Sequence, residues 1–285
     1  MPSSSDHLNK KLLSAIALGD DLNVKSLLNQ GANPNQYIPS SKQDQWVICE
    51  DYNNVLHSLV CYAARKMAYD KDPFLAQRFA AITHHLIDAG ADVNREILYS
   101  KDDFVDGNSR LLFLMAYLPS VEFFANTNSS MSERHNTLFQ KMIDHGLDLT
   151  ASTIASNNNV LHTSAYSMNA SRIAWLYSFR GFREAFSGGA INATNEKGHT
   201  PLDCLIDNAA YFNCKQSVLG SVELYVRNGA VLTEFSKKVL TEDHKVTYTG
   251  GHNDPDIMRD ILACVLSHSM ESDHQIPKKP VKFRL

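Results

Sequence analysis

The sequence lacks an excess of positive charge. It contains 27 Lys and Arg residues against 31 Asp and Glu residues, for a formal net charge of -4. A nucleic-acid-binding domain would instead show a clustered basic face. One basic cluster occurs near the C-terminus, and we interpret it as part of a solvated tail: Lys278, Lys279, Lys282 and Arg284. The composition therefore indicates no nucleic-acid partner.

Cysteines are also few, and they form no pattern. The five are Cys49, Cys61, Cys204, Cys214 and Cys264. Because their number is odd and no CxxC pair occurs, the sequence favours neither a disulfide framework nor a cysteine zinc site. This usage is typical of a reducing compartment, so we expect an intracellular, cytoplasmic protein.

Long apolar runs and catalytic motifs are missing as well. The longest apolar run, Leu111 to Leu118, is far shorter than the ~18 residues that a membrane helix needs. The sequence has no GxGxxG, P-loop, HExxH or GxSxG motif. His84 and His85 are adjacent but have no further ligands at helical spacing. We therefore expect no membrane span, no enzymatic activity, no cofactor and no metal site.

The sequence does contain a recurring phrase in which an apolar run is followed by a glycine and, in the first four of five copies, by Asn or Asp. In the last copy the run Tyr225-Val226 leads to Gly229. The glycines of the copies are Gly31, Gly90, Gly146, Gly188 and Gly229. An apolar run that stops at glycine indicates a helix whose C-terminal end needs a left-handed residue.

A second phrase follows each of the first four copies. These phrases begin at Asn54, Ser109, Asn159 and Thr200. Asn, Ser and Thr side chains accept hydrogen bonds from the free N–H groups at a helix start. Pro201 stands at the first helical position, where its missing N–H has no cost. Each unit is therefore predicted to run from a cap through two helices to a glycine stop.

Together the two phrases resemble the ankyrin repeat, whose signature is T-P-L-H-x-A with a period of about 33 residues. The sharpest copy runs from Gly188 to Asp203 and reads GGAINATNEKGHTPLD. The resemblance implies an all-α solenoid of about five helix pairs with β-hairpin fingers. It also implies that His57 and His162 hydrogen bond to a turn, and Asp203 can make a similar bond.

The glycines lie further apart than the family period, and part of the excess falls in the first two fingers. Their β-branched and aromatic residues predict extended β-hairpins. The predicted strands are Gln36–Ile38 with Gln45–Ile48 in the first finger, and Glu96–Tyr99 with Asp103–Val105 in the second.

The repeat pattern ends after Gly229. Asp254-Pro255 is predicted to begin a helix with one apolar face, formed by Ile257, Ile261, Leu262 and Val265. We interpret residues 231–270 as a C-terminal helical cap, since a solenoid would otherwise expose the apolar side of its last repeat. The predicted organisation is one ankyrin-repeat domain over residues 1–270 and an unpacked polar and basic tail over 271–285.

The resemblance further implies a partner protein that binds in a concave groove formed by the finger tips and the first helices. We expect a monomer with one such partner of unknown identity. The predicted binding residues are Trp46, Glu50, Asp51, Asn53, Tyr62, Asn108, Tyr117, Asn158, Tyr166, Glu196, Lys197, His199, Asp207 and Asn208.

Several alternatives stay open. Tyr62, Tyr117 and Tyr166 occupy similar places in successive repeats, and they either form a partner interface or pad inserted loops. Trp46 either anchors a partner or packs inside its own hairpin. A second class of function is an enzyme or enzyme regulator with its activity in the inserted loops or the cap. A third is a scaffold whose first finger adds an edge strand to a partner's sheet.

Two narrower hypotheses follow from the resemblance. Leu86, Asp92, Val93 and Asn94 match the order preferred by an asparaginyl hydroxylase of ankyrin repeats, although a structural turn asparagine is the alternative. The degenerate repeats also resemble, in style, ankyrin-repeat effectors that intracellular bacteria export into host cells. The tail from Glu271 to Leu285 would then carry a secretion signal, and an ordinary unstructured end is the alternative.

Overall fold

The described part of the chain is mainly helical. The computed structural model describes residues 4–36, 56, 73–95, 97–98, 108–109, 112, 129–153, 156–167, 170–187, 189–209, 215–241 and 255–274. The helices are α1 Ser4–Ala17, α2 Asp21–Asn29, α3 Pro73–Asp88, α4 Ser129–Asp144, α5 Val160–Ser167, α6 Ala170–Ser178, α7 Arg180–Ala185, α8 Pro201–Ala209, α9 Lys215–Arg227, α10 Glu234–Thr241 and α11 Pro255–His274, with a 3₁₀ turn at Ala190–Asn192.

The chain divides into two compact units. One comprises Met1–Val160 with Trp175–Ala185, and the other comprises Leu161–Ala174 with Phe186–Leu285. In the first unit, α1 packs on α2, α2 on α3, and α3 on α4. In the second unit, α8 packs against α9 and α10, while α11 packs against the same two helices. Each helix pair thus covers the apolar face of its neighbour, as repeat architectures require.

Each helix buries an apolar stripe whose residues recur at intervals of three or four. Fully buried examples in the first unit are Leu12, Ile16, Val24, Ile82, Leu86, Phe139 and Met142. Examples in the second unit are Leu202, Leu205, Val218, Val222 and Tyr225. Tyr225 also donates its buried hydroxyl to the carbonyl of Leu161 at 2.6 Å, so its polar atom is satisfied inside the core.

Helix α3 ends at a left-handed glycine, as the repeated phrase predicts. Gly90 has a φ of 86°; its N–H donates to the Ile87 carbonyl at 3.0 Å, and the Ala91 N–H donates to the Leu86 carbonyl at 2.9 Å. These are the paired bonds of a Schellman motif. A positive φ also occurs at Gly31, Gly146, Gly189 and Gly229. In the fourth copy the described left-handed residue is therefore Gly189, and Gly188 lies outside the described residues.

Asparagines in the turns tie one repeat to the next. The Asn94 Nδ2 donates to the Gly146 carbonyl at 2.7 Å, and its Oδ1 accepts the Asp148 N–H at 2.7 Å. We name this pair of bonds the asparagine clamp. Two more clamps have the same form: Asn35 on Gly90 and Asp92, and Asn192 on Gly229 and Val231. Each clamp satisfies a carbonyl and an N–H that the neighbouring helix end leaves without an intrahelical partner.

The clamp depends on an amide side chain. In the third repeat, Thr150 takes the place that Asn94 takes in the second. The Thr150 N–H and hydroxyl both bond to the Asp148 Oδ1, at 3.0 and 2.9 Å. Threonine has no second polar atom with which to span a carbonyl and an N–H together. Its side chain therefore stabilises its own turn.

The second finger contains a strand pair, but not the predicted one. Strand β1, Ile97–Leu98, pairs antiparallel with β2, Asn108–Ser109, so that Ile97 lies opposite Ser109. The predicted partner strand Asp103–Val105 lies outside the described residues, as does most of the first finger. The described pairing lies at the base of the finger, because Leu112, just beyond β2, is already helical.

Helix α11 begins at Pro255, which confirms the predicted start. It buries Ile257, Ile261 and Val265, as predicted. Met258, which was not predicted, is also buried, whereas Leu262, which was predicted, is only half-buried. The helix continues to His274. Residues 271–274, which the sequence placed at the start of the tail, thus belong to the helix, and the unpacked tail stays a prediction.

We predict that Asn94→Ala lowers the free energy of unfolding by about 1–2 kcal/mol, because two hydrogen bonds to the next repeat are lost. Denaturant unfolding followed by circular dichroism measures the change. Asn29→Ala, at an exposed asparagine of α2, is the matched control and should change stability by less than about 0.5 kcal/mol. Equal effects of the two substitutions would show that the clamp does not stabilise the stack.

Candidate protein-binding site

Six of the predicted binding residues lie together in the second unit. They are Tyr166, Glu196, Lys197, His199, Asp207 and Asn208. Asn108 lies in strand β2 of the first unit. Trp46, Glu50, Asp51, Asn53, Tyr62 and Tyr117 lie outside the described residues. The candidate site is therefore built from the second unit alone.

Asn158 does not belong to an exposed surface, contrary to the prediction. Its side chain is 5% exposed, and its Nδ2 donates to the Ser156 hydroxyl at 2.8 Å. Its N–H donates to the Thr153 hydroxyl and its carbonyl accepts the Thr153 N–H. The preceding residue, Asn157, has a φ of 52° and turns the chain inward at this point. Asn158 is thus a structural turn residue.

The finger of the fifth repeat, which we define as Asn195–Thr200, is held by one buried asparagine. The Asn195 Oδ1 accepts the N–H groups of Lys197 and His199, both at 3.0 Å. The Asn195 N–H donates to the His199 carbonyl at 2.9 Å. With these bonds made inside the turn, Glu196 and Lys197 are exposed at the tip. Sequence analysis missed Asn195, although asparagine at the first position of a four-residue turn and glycine at the fourth, here Gly198, is a typical turn signal.

His199 connects the finger to two helices. Its ring stacks on Phe235 of α10, with centroids 4.1 Å apart and an interplanar angle of 29°. Its carbonyl accepts a hydrogen bond from the Nε2 of His162 at 2.9 Å. The resemblance implied that His162 bonds to a turn, and the bond is made to the turn of the following repeat. The base of the finger is therefore held both by α5 and by α10.

His162 is a neutral, buried donor. It is 1% exposed, and burial lowers its pKa from 6.5 to about 4. The bond to the His199 carbonyl and the nearby Asp203 carboxylate act in the opposite direction but are weaker. Because a carbonyl can only accept, the Nε2 of His162 carries the hydrogen.

Asp203 occupies the position in the next repeat that His162 occupies in its own, but its side chain accepts hydrogen bonds, whereas that of His162 donates one. Its side chain is 0% exposed. One carboxylate oxygen accepts the Thr200 N–H at 2.9 Å, and the Thr200 hydroxyl accepts the Asp203 N–H at 3.2 Å, which together form a capping box. The other oxygen accepts the hydroxyls of Thr233, at 2.6 Å, and of Ser236. As predicted, Asp203 bonds to its own turn, at the Thr200 N–H, but its bonds to the following segment are to hydroxyls and not to a backbone carbonyl.

Tyr166 and the finger both contact helix α8 at Cys204. Tyr166 is 39% exposed, and its hydroxyl lies 3.6 Å from the Cys204 Sγ. Asn208 donates its Nδ2 to the Cys204 carbonyl at 2.6 Å, and Asp207 beside it is half-buried. An exposed aromatic ring next to half-buried polar groups can contact another protein by both apolar packing and hydrogen bonds.

Cys204 is poorly suited to nucleophilic chemistry. It is 2% exposed, and burial raises its pKa to about 11. The hydrogen bond with Tyr166 lowers the pKa but is outweighed by burial. Since the thiolate is the reactive form, the Cys204 thiol is unreactive near neutral pH.

The described residues include no group of three or more His, Cys, Asp or Glu side chains placed to hold a metal ion. His84 and His85 are both half-buried on α3. The pKa of His84 is lowered, first by burial and then by the charge of Lys141. Among the described helices, none is long and apolar enough to cross a membrane.

We predict that His162 makes the protein less stable in acid. Because its pKa is about 4 when folded and 6.5 when unfolded, its contribution is complete above pH 6.5 and is lost as the pH falls from 6.5 to 4. The full loss is about 3 kcal/mol. Denaturant unfolding of wild type and His162→Gln at pH 7 and pH 4 measures it. The variant should lose less stability between the two pH values, and an equal loss would contradict a buried neutral histidine.

No family model matches the chain, and no curated protein matches it. Among solved structures, the chain is similar to the ankyrin repeat domain of Bcl-3, described as a unique member of the IkappaB protein family. The sequence identity is 15%, the TM-score is 0.41, and the match covers 90% of this chain and 97% of that chain. At that identity and score, the assignment depends on the molecule's own repeats. The repeated phrases, the glycine stops and the packed helix pairs of the chain resemble those of ankyrin repeats.

Proposed function

We propose that this chain binds a partner protein, and that the partner contacts the second unit at the finger Asn195–Thr200 and at Tyr166. The ankyrin-repeat fold is a generic protein–protein interaction module. The observation that carries the proposal is the exposure of Glu196 and Lys197 on a turn whose backbone is fixed by the buried Asn195. A preordered loop loses little conformational entropy on binding, which favours affinity.

Tyr166 supports the same surface. The preceding residues of α5 are largely buried, with Leu161 and Ala165 at 0% exposure, whereas Tyr166 is 39% exposed. Tyrosine is enriched among residues that dominate binding energy at interfaces. Its hydroxyl and the Asn195 side-chain amide both lie within hydrogen-bond distance of the Cys204 Sγ, so the ring and the finger meet at the same residue of α8.

The proposal extends to details that the described residues do not reach. The Tyr62–Tyr117–Tyr166 ladder and Trp46 would lengthen the surface along the other repeats. The protein would act as a monomer inside the cell, with no nucleic acid as partner. An export as a bacterial effector into a host cell is a finer form of the proposal, supported only by the style of the repeats.

The alternative function is an enzyme or enzyme regulator, and Cys204 offers a test of it. A pKa of about 11, against an ordinary value of 9.0, reduces the thiolate fraction near neutral pH about 100-fold. We predict that iodoacetamide at pH 8 labels Cys204 at least about 100-fold more slowly in the native protein than in urea, as read by peptide mass spectrometry. Fast native labelling of Cys204 would instead favour a catalytic thiol.

The binding proposal is tested by affinity capture from cell lysate with a finger variant, Lys197→Glu combined with Tyr166→Ala. The matched control is Lys25→Glu, a charge reversal at an exposed lysine of α2. Circular dichroism shows that all forms are folded. We expect at least one protein to be captured by wild type and by the control, and to be lost about tenfold or more with the finger variant, since hot-spot residues contribute about 2 kcal/mol or more.

Capture of the same proteins by all three forms would exclude the finger and Tyr166 as the contact surface. Attention would then move to the first finger and its strand-addition hypothesis. Loss of the same protein with Lys25→Glu as well would show a general effect of charge, which also contradicts a specific site.

A further inference from the structure

We propose that helix α10 controls the finger Asn195–Thr200 through the Asp203 carboxylate, so that release of α10 loosens the finger. We name the Asp203 carboxylate the latch, because it accepts hydrogen bonds from the hydroxyls of Thr233 and Ser236. The stacking contact of Phe235 with His199 couples the position of α10 to the finger. The consequence for partner binding follows from the proposed function, but the coupling between α10 and the finger does not depend on it.

The latch is a concentrated polar contact at the first turn of α10. Asp203 and Ser236 are both 0% exposed, and the hydroxyls of Ser236 and Thr233 donate to the same Asp203 oxygen. A buried carboxylate must keep its donors, because an unsatisfied buried charge carries a large desolvation cost. The free energy of the carboxylate therefore depends on α10 being docked with its first turn intact.

The same turn of α10 holds the finger. Phe235 lies between Thr233 and Ser236 in the sequence, and its ring stacks on the His199 ring at 4.1 Å. His199 in turn shares two hydrogen bonds with Asn195, through its N–H and its carbonyl. When the latch holds the turn in place, the stack is held as well. When the turn moves away, His199 loses the ring that covers it, whereas the finger keeps its own bonds, the bond from His162, and the bonds of Asn195 and Thr200 to α8.

Sequence explains why this coupling is local to the last repeat. The preceding repeat has His162 at the corresponding position, and His162 bonds to a backbone carbonyl, which every residue provides. Asp203 instead needs hydroxyl donors, and α10 supplies them at Thr233 and Ser236. Docking of α10 on α8 thus depends on particular side chains, and their loss can release α10 without unfolding the other helices.

The test is hydrogen–deuterium exchange of the full chain carrying Ser236→Ala. The matched control is Ser267→Ala, which removes an exposed hydroxyl that donates to the Cys264 carbonyl within α11. Peptides covering 234–241, the finger 195–200 and α3 are compared. We expect amide exchange in α10 and in the finger to accelerate together by about tenfold or more, as loss of one hydrogen bond to a charged acceptor allows. Exchange in α3 should stay unchanged.

A second variant separates the latch from the transmission. Phe235→Leu keeps both hydroxyls on Asp203 but removes the stacked ring, so it should accelerate exchange in the finger by itself. The proposal is overturned if Ser236→Ala accelerates α10 and leaves the finger unchanged, or if Phe235→Leu leaves the finger unchanged. If Ser236→Ala does not fold, Phe235→Leu alone decides. Because neither measurement uses a partner, coupling can hold even where the binding proposal fails, and the reverse is also true.

Discussion

The stacking of this protein depends on polar side chains that reach from one repeat to the backbone of the next. Apolar burial drives the helix pairs together, but it has no direction and would tolerate a shifted packing. The bonds from Asn94 to the Gly146 carbonyl and the Asp148 N–H are directional and satisfy one register. Since they end on a helix terminus, they also fix where each turn begins.

His162 and Asp203 show two solutions to the same task at equivalent positions. A histidine donor needs only a carbonyl, so it can join to a repeat of almost any sequence. A buried carboxylate needs several hydrogen-bond donors. Without them, the free-energy cost of removing the charge from water would destabilise the stack. Asp203 is therefore compatible with a neighbour that carries hydroxyls where Thr233 and Ser236 stand. The last repeat is in this way specific for the helix that follows it, whereas the repeat before it is not.

Features set by local chemistry could be predicted from the sequence, and features set by distant partners could not. The glycine stop at Gly90 and the helix start at Pro201 depend on a few neighbouring residues, so the pattern predicted both. The burial of Asn158 depends on how its turn packs, whereas sequence reasoning placed this residue on an exposed surface. The strand that pairs with Ile97–Leu98 depends on where the chain returns. The stack between His199 and Phe235 joins residues from separate elements, which no spacing rule connects.

In the candidate site, one set of residues is buried and holds the finger in place, and a different set is exposed at its tip. Asn195, His162 and Asp203 are buried, and their hydrogen bonds are all made within the protein. Glu196 and Lys197 are exposed on a turn whose backbone those buried groups already satisfy. Under the proposed function, changes at the two tip residues would alter which partner is bound at little cost in stability, since surface substitutions usually change stability by less than about 0.5 kcal/mol. Changes at Asn195, His162 or Asp203 would alter the shape of the proposed binding surface.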